Sequence, residues 1–355
     1  MCGIAGIIDK ETLDTSDLLK KILSKISYRG PDETGLIKFK NFSFGMNRLS
    51  IIDYKKHEPP YYNKNKQIWA VFNGEIYNFD NLVKEYNLKH KLRTNSDIEI
   101  IIFLYEKYGK KFVEKLNGMF SIAIFDKKLN KLLLYRDRSG EKPLYYFKKK
   151  KRFIFSSEIK SILDLVDSEV NNNYFQYKTL EICFGKETLF KDIYSLEPGD
   201  YLEIDLDTVE IKLNSYWKAW DNLYTHKSSN DEVLADELSN LLIDAISLRS
   251  ANNKNKTGCF VSGGIDSSIV ASILKPDYLY TIFFDIGPDF DELDYAKLIA
   301  KHIDRDLNIV TAKPSDFERT KKDITYHLDT PCTWTSFSIW RLMEESSKDI
   351  KVILS

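Results

Sequence analysis

The sequence predicts two domains of different class, a layered α+β domain followed by an α/β domain that contains an open parallel sheet. Up to about residue 213, short strand-like runs and turn signals are interrupted by two helical stretches, without strict alternation of strand and helix. Beyond that point strands and helices alternate, which favours a parallel sheet. The length of 355 residues agrees with this division, since a domain averages about 150 residues.

The elements of the first domain are predicted from apolar alternation and turn residues. Residues 66–72 alternate and are followed by Asn73-Gly74, which predicts a hairpin-type turn. Ser96 with Glu99 forms a capping-box pattern, which predicts the start of a helix. Further strand-like apolar runs occupy residues 119–125, 132–135 and 153–155.

The second domain begins after a polar segment at residues 225–231. The helix that follows carries an apolar face formed by Leu234, Leu238, Leu241, Leu242 and Ala245. Three strands, at residues 258–261, 280–284 and 351–354, are separated by a helix at 268–274 and a helix that begins near residue 291. This order of elements predicts the parallel sheet.

The composition is that of an ordinary soluble protein. Lysine and arginine total 52 against 53 acidic residues, so no nucleic-acid or membrane partner is expected. No run approaches the roughly 20 apolar residues that span a bilayer. The four cysteines form no Cys-x-x-Cys pair, which argues against a zinc knuckle or a disulfide framework. We therefore expect a cytoplasmic protein.

Cys2 is the first candidate for chemistry. Removal of Met1 would leave Cys2 with a free α-amine beside its thiol. Such an amine titrates near pH ~7.7–8.0 and can accept the thiol proton, so one residue can supply both nucleophile and base. The alternative is that Cys2 is a small residue that opens a strand, as unpaired cysteines usually are.

Other segments resemble a known family. Residues 1–6 (Met-Cys-Gly-Ile-Ala-Gly), 29–32 (Arg-Gly-Pro-Asp), 47–53, 73–78 and 95–97 together resemble the class II glutamine amidotransferase domain, an N-terminal-nucleophile hydrolase. Residues 136–146 and 155–163 narrow the resemblance to glutamine-hydrolysing asparagine synthetases. The resemblance implies an αββα sandwich over residues 1–213, a linker over 214–232, and a Rossmann-like ATP-pyrophosphatase domain over 233–355. Tyr28 stands where the family often has histidine, and we expect little consequence because that motif shapes a loop.

The resemblance also implies roles in glutamine hydrolysis. Cys2 would attack the side-chain amide, and Asn73 with the Gly74 N–H would form the oxyanion hole. Arg48 would hold the substrate α-carboxylate and Asp97 the α-ammonium. The glutamine-binding set implied by the resemblance is Arg48, Ile52, Asn73, Glu75 and Asp97. Taken alone, Asn73-Gly74 is more typical of a hairpin turn, and Asp97 of a helix N-terminus. The occurrence of all these residues together favours a role in glutamine hydrolysis.

A Gly-rich turn lies between a predicted strand and helix of the second domain. It carries no Walker A pattern, and its glycines, hydroxyls and helix N-terminus suit an anion. It resembles the pyrophosphate loop of ATP pyrophosphatases, and the alternative is an ordinary strand–helix turn. We expect Asp266 to help hold Mg²⁺. The ATP-binding set implied is Val261, Ser262, Gly263, Gly264, Asp266, Ser267, Ser268, Phe284 and Ser355.

The function implied is synthesis of asparagine and glutamate from aspartate, glutamine and ATP, through a Cys2 thioester and β-aspartyl-AMP. Glutamine, ATP and aspartate are then the small-molecule partners, and the resemblance leaves a homodimer open. The family's usual segment after residue 355 is missing, so we expect a C-terminally truncated chain.

Thr330 and Trp334 stand where the family usually has Glu and Asp, so an acceptor carboxylate other than aspartate stays open. A stand-alone glutaminase and an inactive scaffold are the remaining alternatives.

Overall fold

The computed structural model describes residues 1–12, 14–50, 58–94, 96–222, 230–250, 256–284 and 292–355. The chain divides into two compact units, Met1–Tyr224 and Thr225–Ser355. The finer boundaries expected from the sequence, with a linker over residues 214–232, stay a prediction. Among the helices so described, none combines the length and the apolar character needed to cross a bilayer.

The first unit contains two six-stranded sheets in which every strand pair is antiparallel. The strands are β1 (Gly3–Asp9), β2 (Glu33–Phe39), β3 (Phe42–Arg48), β4 (Tyr61–Tyr62), β5 (Ile68–Ile76), β6 (Gly118–Asp126), β7 (Lys131–Arg136), β8 (Tyr145–Lys149), β9 (Arg152–Ser156), β10 (Ile193–Ser195), β11 (Asp200–Asp205) and β12 (Ile211–Ser215). The first sheet has the order β10-β8-β9-β1-β3-β2 and the second β12-β11-β7-β6-β5-β4.

Helices cover the outer faces of both sheets. They are α1 (Ser16–Lys25), α2 (Phe79–Glu85), α3 (Asp97–Tyr108), α4 (Lys160–Leu163) and α5 (Asn173–Leu180). Helix α1 packs on β1 and β3, and α3 packs on β5. The strand β1 is buried on both faces because Ile4 and Ile8 join the core between the sheets, whereas Ala5 and Ile7 join the core beneath α1. The predicted αββα sandwich is confirmed.

The hairpin predicted at Asn73-Gly74 is wrong, because both residues lie inside β5. They pair with Ser121 and Phe120 of β6, so the strand continues to Ile76. Gly74 has φ +152°, and a Cβ there would lie 2.0 Å from the Met119 carbonyl oxygen. The glycine therefore permits close approach of two strands rather than a turn.

The capping box predicted at Ser96 and Glu99 is also incomplete. Ser96 is the N-cap residue of α3 as predicted, but its side chain accepts no capping hydrogen bond. Glu99 accepts instead from the backbone N–H of Arg93 at 3.4 Å.

The second unit is built on a four-stranded parallel sheet. Its strands are β13 (Thr257–Phe260), β14 (Tyr278–Phe284), β15 (Leu307–Ala312) and β16 (Val352–Leu354), in the order β15-β14-β13-β16. Its helices are α6 (Asp231–Ser250), α7 (Ile265–Leu274), α8 (Leu293–His302), α9 (Pro314–Leu328) and α10 (Trp334–Ser346). The predicted parallel sheet is confirmed with one strand more than the sequence indicated.

The missed strand β15 has a mixed pattern. Val310 and Ala312 are buried, but Asn308, Ile309 and Thr311 are exposed. This strand forms because it pairs with β14. A short segment that mixes buried and exposed residues gives no clear strand pattern, so the sequence did not predict it. Helix α6 is confirmed, although Leu238 and Leu241 on its apolar face are exposed.

Candidate functional site

One cavity of the first unit gathers residues that are far apart in the sequence. Its walls include Cys2, Arg48, Asn73, Gly74, Glu75 and Asp97, together with Met1, Leu49, Ser50, Met119 and Lys142. Six of the seven residues named for glutamine hydrolysis therefore line one cavity. Ile52 lies outside the described residues.

The pairing of strands explains this convergence. Gly3 pairs with Asn47 in the register of β1 and β3, which brings Cys2 and Arg48 to the same end of the first sheet. Asn73, Gly74 and Glu75 come from β5 of the second sheet, which contacts β1. The cavity thus lies where the two sheets of the sandwich face each other.

Two hydrogen bonds hold Cys2 at this position. Its Sγ accepts a hydrogen bond from the Leu49 N–H at 3.4 Å, and its carbonyl oxygen accepts from Arg29 Nε at 3.0 Å. Burial raises the pKa of the Cys2 thiol, although Leu49, Arg48 and Arg29 act in the opposite direction. A nearby base is consequently needed to form the thiolate at neutral pH.

Arg48 is a buried cation at the end of β3. Its Nη1 lies 2.8 Å from Glu33 Oε2, and the side chains are 8% and 16% exposed. Glu33 is also the residue that pairs with Arg48 across β2 and β3. The carboxylate therefore orients a guanidinium whose planar fork can bind a substrate carboxylate.

Asp97 is a buried carboxylic acid at the start of α3. Its Oδ2 accepts a hydrogen bond from the Ile76 N–H at 2.8 Å. Burial, with smaller contributions from Glu75 and Asp80, raises the pKa of Asp97 to about 7. A ligand cation at this carboxyl would favour its charged form.

Asn73 is fully buried, and its side-chain amide is unusual. Among the described residues, neither its Nδ2 nor its Oδ1 has a hydrogen-bond partner. Buried amides are normally paired, so an amide left open toward a cavity suits a ligand oxygen. Its Nδ2 is suited to donate to an oxygen that gains negative charge.

The Gly-rich loop of the second unit follows β13 and ends at α7. Gly264 is the N-cap of α7, and Gly263 has φ +83° with Tyr295 only 2.3 Å from the position of a Cβ. Ser268 Oγ donates to the Gly264 carbonyl at 2.7 Å. The loop is therefore a tight turn that directs the N-terminus of a ten-residue helix toward the carboxyl edge of the sheet.

The other predicted ATP-binding residues follow the same edge. Val261 is buried and follows β13, Phe284 ends β14, and Ser355 follows β16. Because these strands are parallel, their carboxyl ends meet at one edge. The ring of Phe284 lies against Trp334 with 5.7 Å between centroids.

Asp266 is exposed in the first turn of α7. In the described ranges, no group of three or more His, Cys, Asp or Glu side chains forms a metal cluster. A single carboxylate fits Mg²⁺ that arrives with phosphates, because such ions keep water and phosphate ligands and few protein ligands.

Comparison with known proteins decides the family. Residues 1–217 match the family model described as a glutamine amidotransferase domain, and residues 237–355 match the one described as asparagine synthase. The whole chain is also 32% identical to a putative glutamine-hydrolysing asparagine synthetase of Methanocaldococcus jannaschii, of which it covers 73%. The chain belongs to the glutamine-hydrolysing asparagine synthetase family.

Two asparagine synthetases of Bacillus subtilis give similar matches. One is 36% identical over 85% of this chain and 43% of that protein. The other is 30% identical over all of this chain and 57% of that protein. The chain thus spans about half the length of these two relatives.

Sequence reasoning missed one residue of this synthetase-family cavity. Lys142 lies in the wall and is 7% exposed. Lys142 lies in the stretch 136–146, which contributed to the family resemblance. That stretch was the only signal in the sequence that could have pointed to Lys142, and no role was assigned to it.

A buried ion network lies behind Cys2, the predicted nucleophile. Arg29, which binds the Cys2 carbonyl, donates through Nη1 to Glu158 Oε1 at 2.7 Å. Tyr28 and Lys160 both donate to the other oxygen of Glu158. Tyr28 stands where the family often has histidine. Through Glu158 it is connected to Arg29, which binds the Cys2 carbonyl.

Proposed function

We propose that this chain catalyses glutamine-dependent amide synthesis, with aspartate as the acceptor. The observation that carries the proposal is the cavity, which combines a cysteine at position two with a buried cation, a buried carboxyl and an open amide. These groups complement the carboxylate, ammonium and side-chain amide of glutamine. The assignment of aspartate rests on family membership and on the printed names of the relatives.

In the first half-reaction, the proton of the Cys2 thiol moves to the α-amine exposed by removal of Met1. The thiolate attacks the side-chain carbon of glutamine, and the carbonyl oxygen gains negative charge beside Asn73 Nδ2 and the Gly74 N–H. The C–N bond then breaks, and the amine returns its proton to the nitrogen so that ammonia leaves. Water hydrolyses the thioester to glutamate and restores the thiol.

Arg48 and Asp97 fix the substrate during these steps. Arg48 binds the α-carboxylate and Asp97 the α-ammonium, which orients the side-chain amide toward Cys2. Glu75 lies in the same wall and adds negative charge near the ammonium.

In the second half-reaction, the β-carboxylate of aspartate attacks the α-phosphorus of ATP and pyrophosphate leaves. Ammonia then displaces AMP from β-aspartyl-AMP and gives asparagine. The Gly263 and Gly264 backbone, with Ser262, Ser267 and Ser268 hydroxyls, supplies donors for the phosphates. Asp266 would hold Mg²⁺, which neutralises phosphate charge when bound.

The experiment measures glutamate, pyrophosphate and asparagine from the same purified protein. We expect glutamate release that Cys2→Ala abolishes, and pyrophosphate release that requires aspartate. Absence of glutamate release by the wild-type protein lacking Met1 would contradict the first half of the proposal. Glutamate release without any ATP-dependent product would reduce the function to a glutaminase.

An acceptor other than aspartate is the second candidate. It is favoured by Trp334, whose ring packs on Phe284 at a position where the family usually has Asp. A panel of carboxylic acids tested for glutamine-dependent AMP release separates the two, since only the true acceptor gives stoichiometric amide.

A further inference from the structure

We propose that Lys142 is a positioning residue for the base of the amidotransferase site: its ammonium keeps the α-amine of Cys2 uncharged, so that this amine can accept the thiol proton. The inference rests on the proposed hydrolysis of glutamine at Cys2. It concerns a residue that neither the family resemblance nor the motifs assign to a role.

Lys142 is held firmly in the wall of the cavity. Its backbone N–H donates to Asp137 Oδ2 at 2.9 Å, and its carbonyl accepts from Arg136 Nε at 3.0 Å. Asp137 also accepts from the backbone N–H groups of Ser139 and Glu141, at 3.0 and 2.9 Å. The lysine therefore projects from a rigid turn between β7 and β8.

Among the side chains that the structure describes, no carboxylate pairs with the ammonium of Lys142. Its Nζ donates to Met1 Sδ at 3.2 Å, and among the described residues no acidic oxygen lies within 4.0 Å of it. A buried cation whose recorded hydrogen bond goes to a thioether is poorly compensated. Removal of Met1 also removes this sulfur, which leaves the ammonium facing the space beside Cys2.

The charges around the N-terminal amine have opposing effects. Removal of Met1 moves the terminal amine to Cys2, which lines the same cavity as Lys142. In the chain that retains Met1, burial lowers the pKa of the Met1 α-amine most, and the positive charges of Arg29 and Lys142 lower it further. Cys2 and Asp32 raise it. Arg29 is neutralised by Glu158 at 2.7 Å, so Lys142 is the cation here without a bound carboxylate among the described residues.

The groups around Lys142 leave its ammonium charged when the α-amine loses its proton. Burial lowers the pKa of Lys142, and Arg29 acts in the same direction. Glu141, Asp137 and Glu75 act in the other direction. A lysine ordinarily titrates near pH ~10.4 and an α-amine near ~7.7–8.0, so the α-amine loses its proton first when the two repel.

The test compares wild type, Lys142→Met, Lys142→Gln and Lys142→Arg, each with Met1 removal verified by intact mass. The pH dependence of kcat/KM for glutamine reports the titrating groups of the free protein, here the amine and Asp97. The charges that act on the pKa of Asp97 come from Glu75 and Asp80, so a shift caused by a substitution at Lys142 reports the amine. We expect the acidic limb to shift upward by about one pH unit in the Met and Gln variants and to stay in place in the Arg variant. Lys128→Met, at an exposed turn, controls for the loss of one positive charge.

A second measurement does not depend on activity. Competitive acetylation of the α-amine by acetic anhydride, followed by mass spectrometry, gives the amine pKa in the resting protein. The proposal is overturned if this pKa and the acidic limb are the same in wild type and Lys142→Met. If wild type hydrolyses no glutamine while the amine pKa still shifts, the proposed function fails and the electrostatic role of Lys142 stands.

Discussion

Asp97 is a carboxyl group that the fold holds away from water, and burial raises its pKa to about 7, which makes the proposed glutamine binding depend on pH. Below that pH the free protein holds Asp97 mostly protonated, so a bound ammonium must displace a proton. We expect the Kd for glutamine to rise up to about tenfold for each pH unit below 7. Calorimetry with the inactive Cys2→Ala variant measures binding alone, and an unchanged Kd between about pH 6 and 8 contradicts this role.

The same residue affects stability. Its folded pKa lies above the unfolded value of about 3.9, so the folded state loses stability as pH rises from about 4 through 7. Asp97→Asn avoids this loss and should stabilise the protein by roughly 1–4 kcal/mol at about pH 8 while it abolishes glutamine binding. Denaturant unfolding at several pH values checks this, with the exposed Asp167→Asn as control. Equal stability of wild type and Asp97→Asn at the higher pH would refute it.

Glu33 offers a test of how Arg48 is oriented. The two side chains are 2.8 Å apart and largely buried, so Glu33→Gln keeps the shape but removes the charge that fixes the guanidinium. We expect KM for glutamine to rise about 5- to 30-fold with kcat changed much less, because ground-state binding is lost. Glu33→Asp should restore part of the affinity. A fall in kcat at constant KM would show that Glu33 acts in another way.

At the scale of elements, β5 carries three site residues because it continues through Asn73 and Gly74. A Cβ at Gly74 would meet the Met119 carbonyl at 2.0 Å, whereas one at Gly109 would meet nothing within 4 Å. Gly74→Ala should therefore cost about 2 kcal/mol or more, and Gly109→Ala only about 1 kcal/mol for its left-handed backbone. Thermal unfolding compares the two. Similar losses in both variants would mean that β5 and β6 can separate locally.

The elements also show where local sequence patterns mislead. Asn-Gly has the strongest turn preference of any pair, but nine paired residues of β6 hold it extended. The capping pattern at Ser96 located the start of α3 correctly. The Ser96 side chain makes no capping bond, and Glu99 accepts from the Arg93 N–H rather than from the N–H of Ser96.

At the scale of the molecule, the two units are expected to carry separable reactions. Cys2→Ala should lose glutamine-dependent synthesis and keep synthesis from added ammonia, since the second half-reaction does not use the thiol. Asp266→Asn should do the reverse, keeping glutamate release while ATP-dependent product falls at least tenfold. Parallel assays of glutamate and pyrophosphate check both variants. Loss of both reactions in either variant would contradict the assignment of one reaction to each unit.

The sequence by itself determined the family and the two classes of fold, and it predicted Cys2 as the nucleophile. Those conclusions depend on motifs and periodicity, which are properties of neighbouring residues along the chain. Only the tertiary structure decided that Asn73-Gly74 is strand and that Lys142 lies beside Met1. It also decided that Asp97 is buried enough to titrate near pH 7. Burial and proximity are set by strand pairing between segments far apart in sequence, so no local pattern could report them.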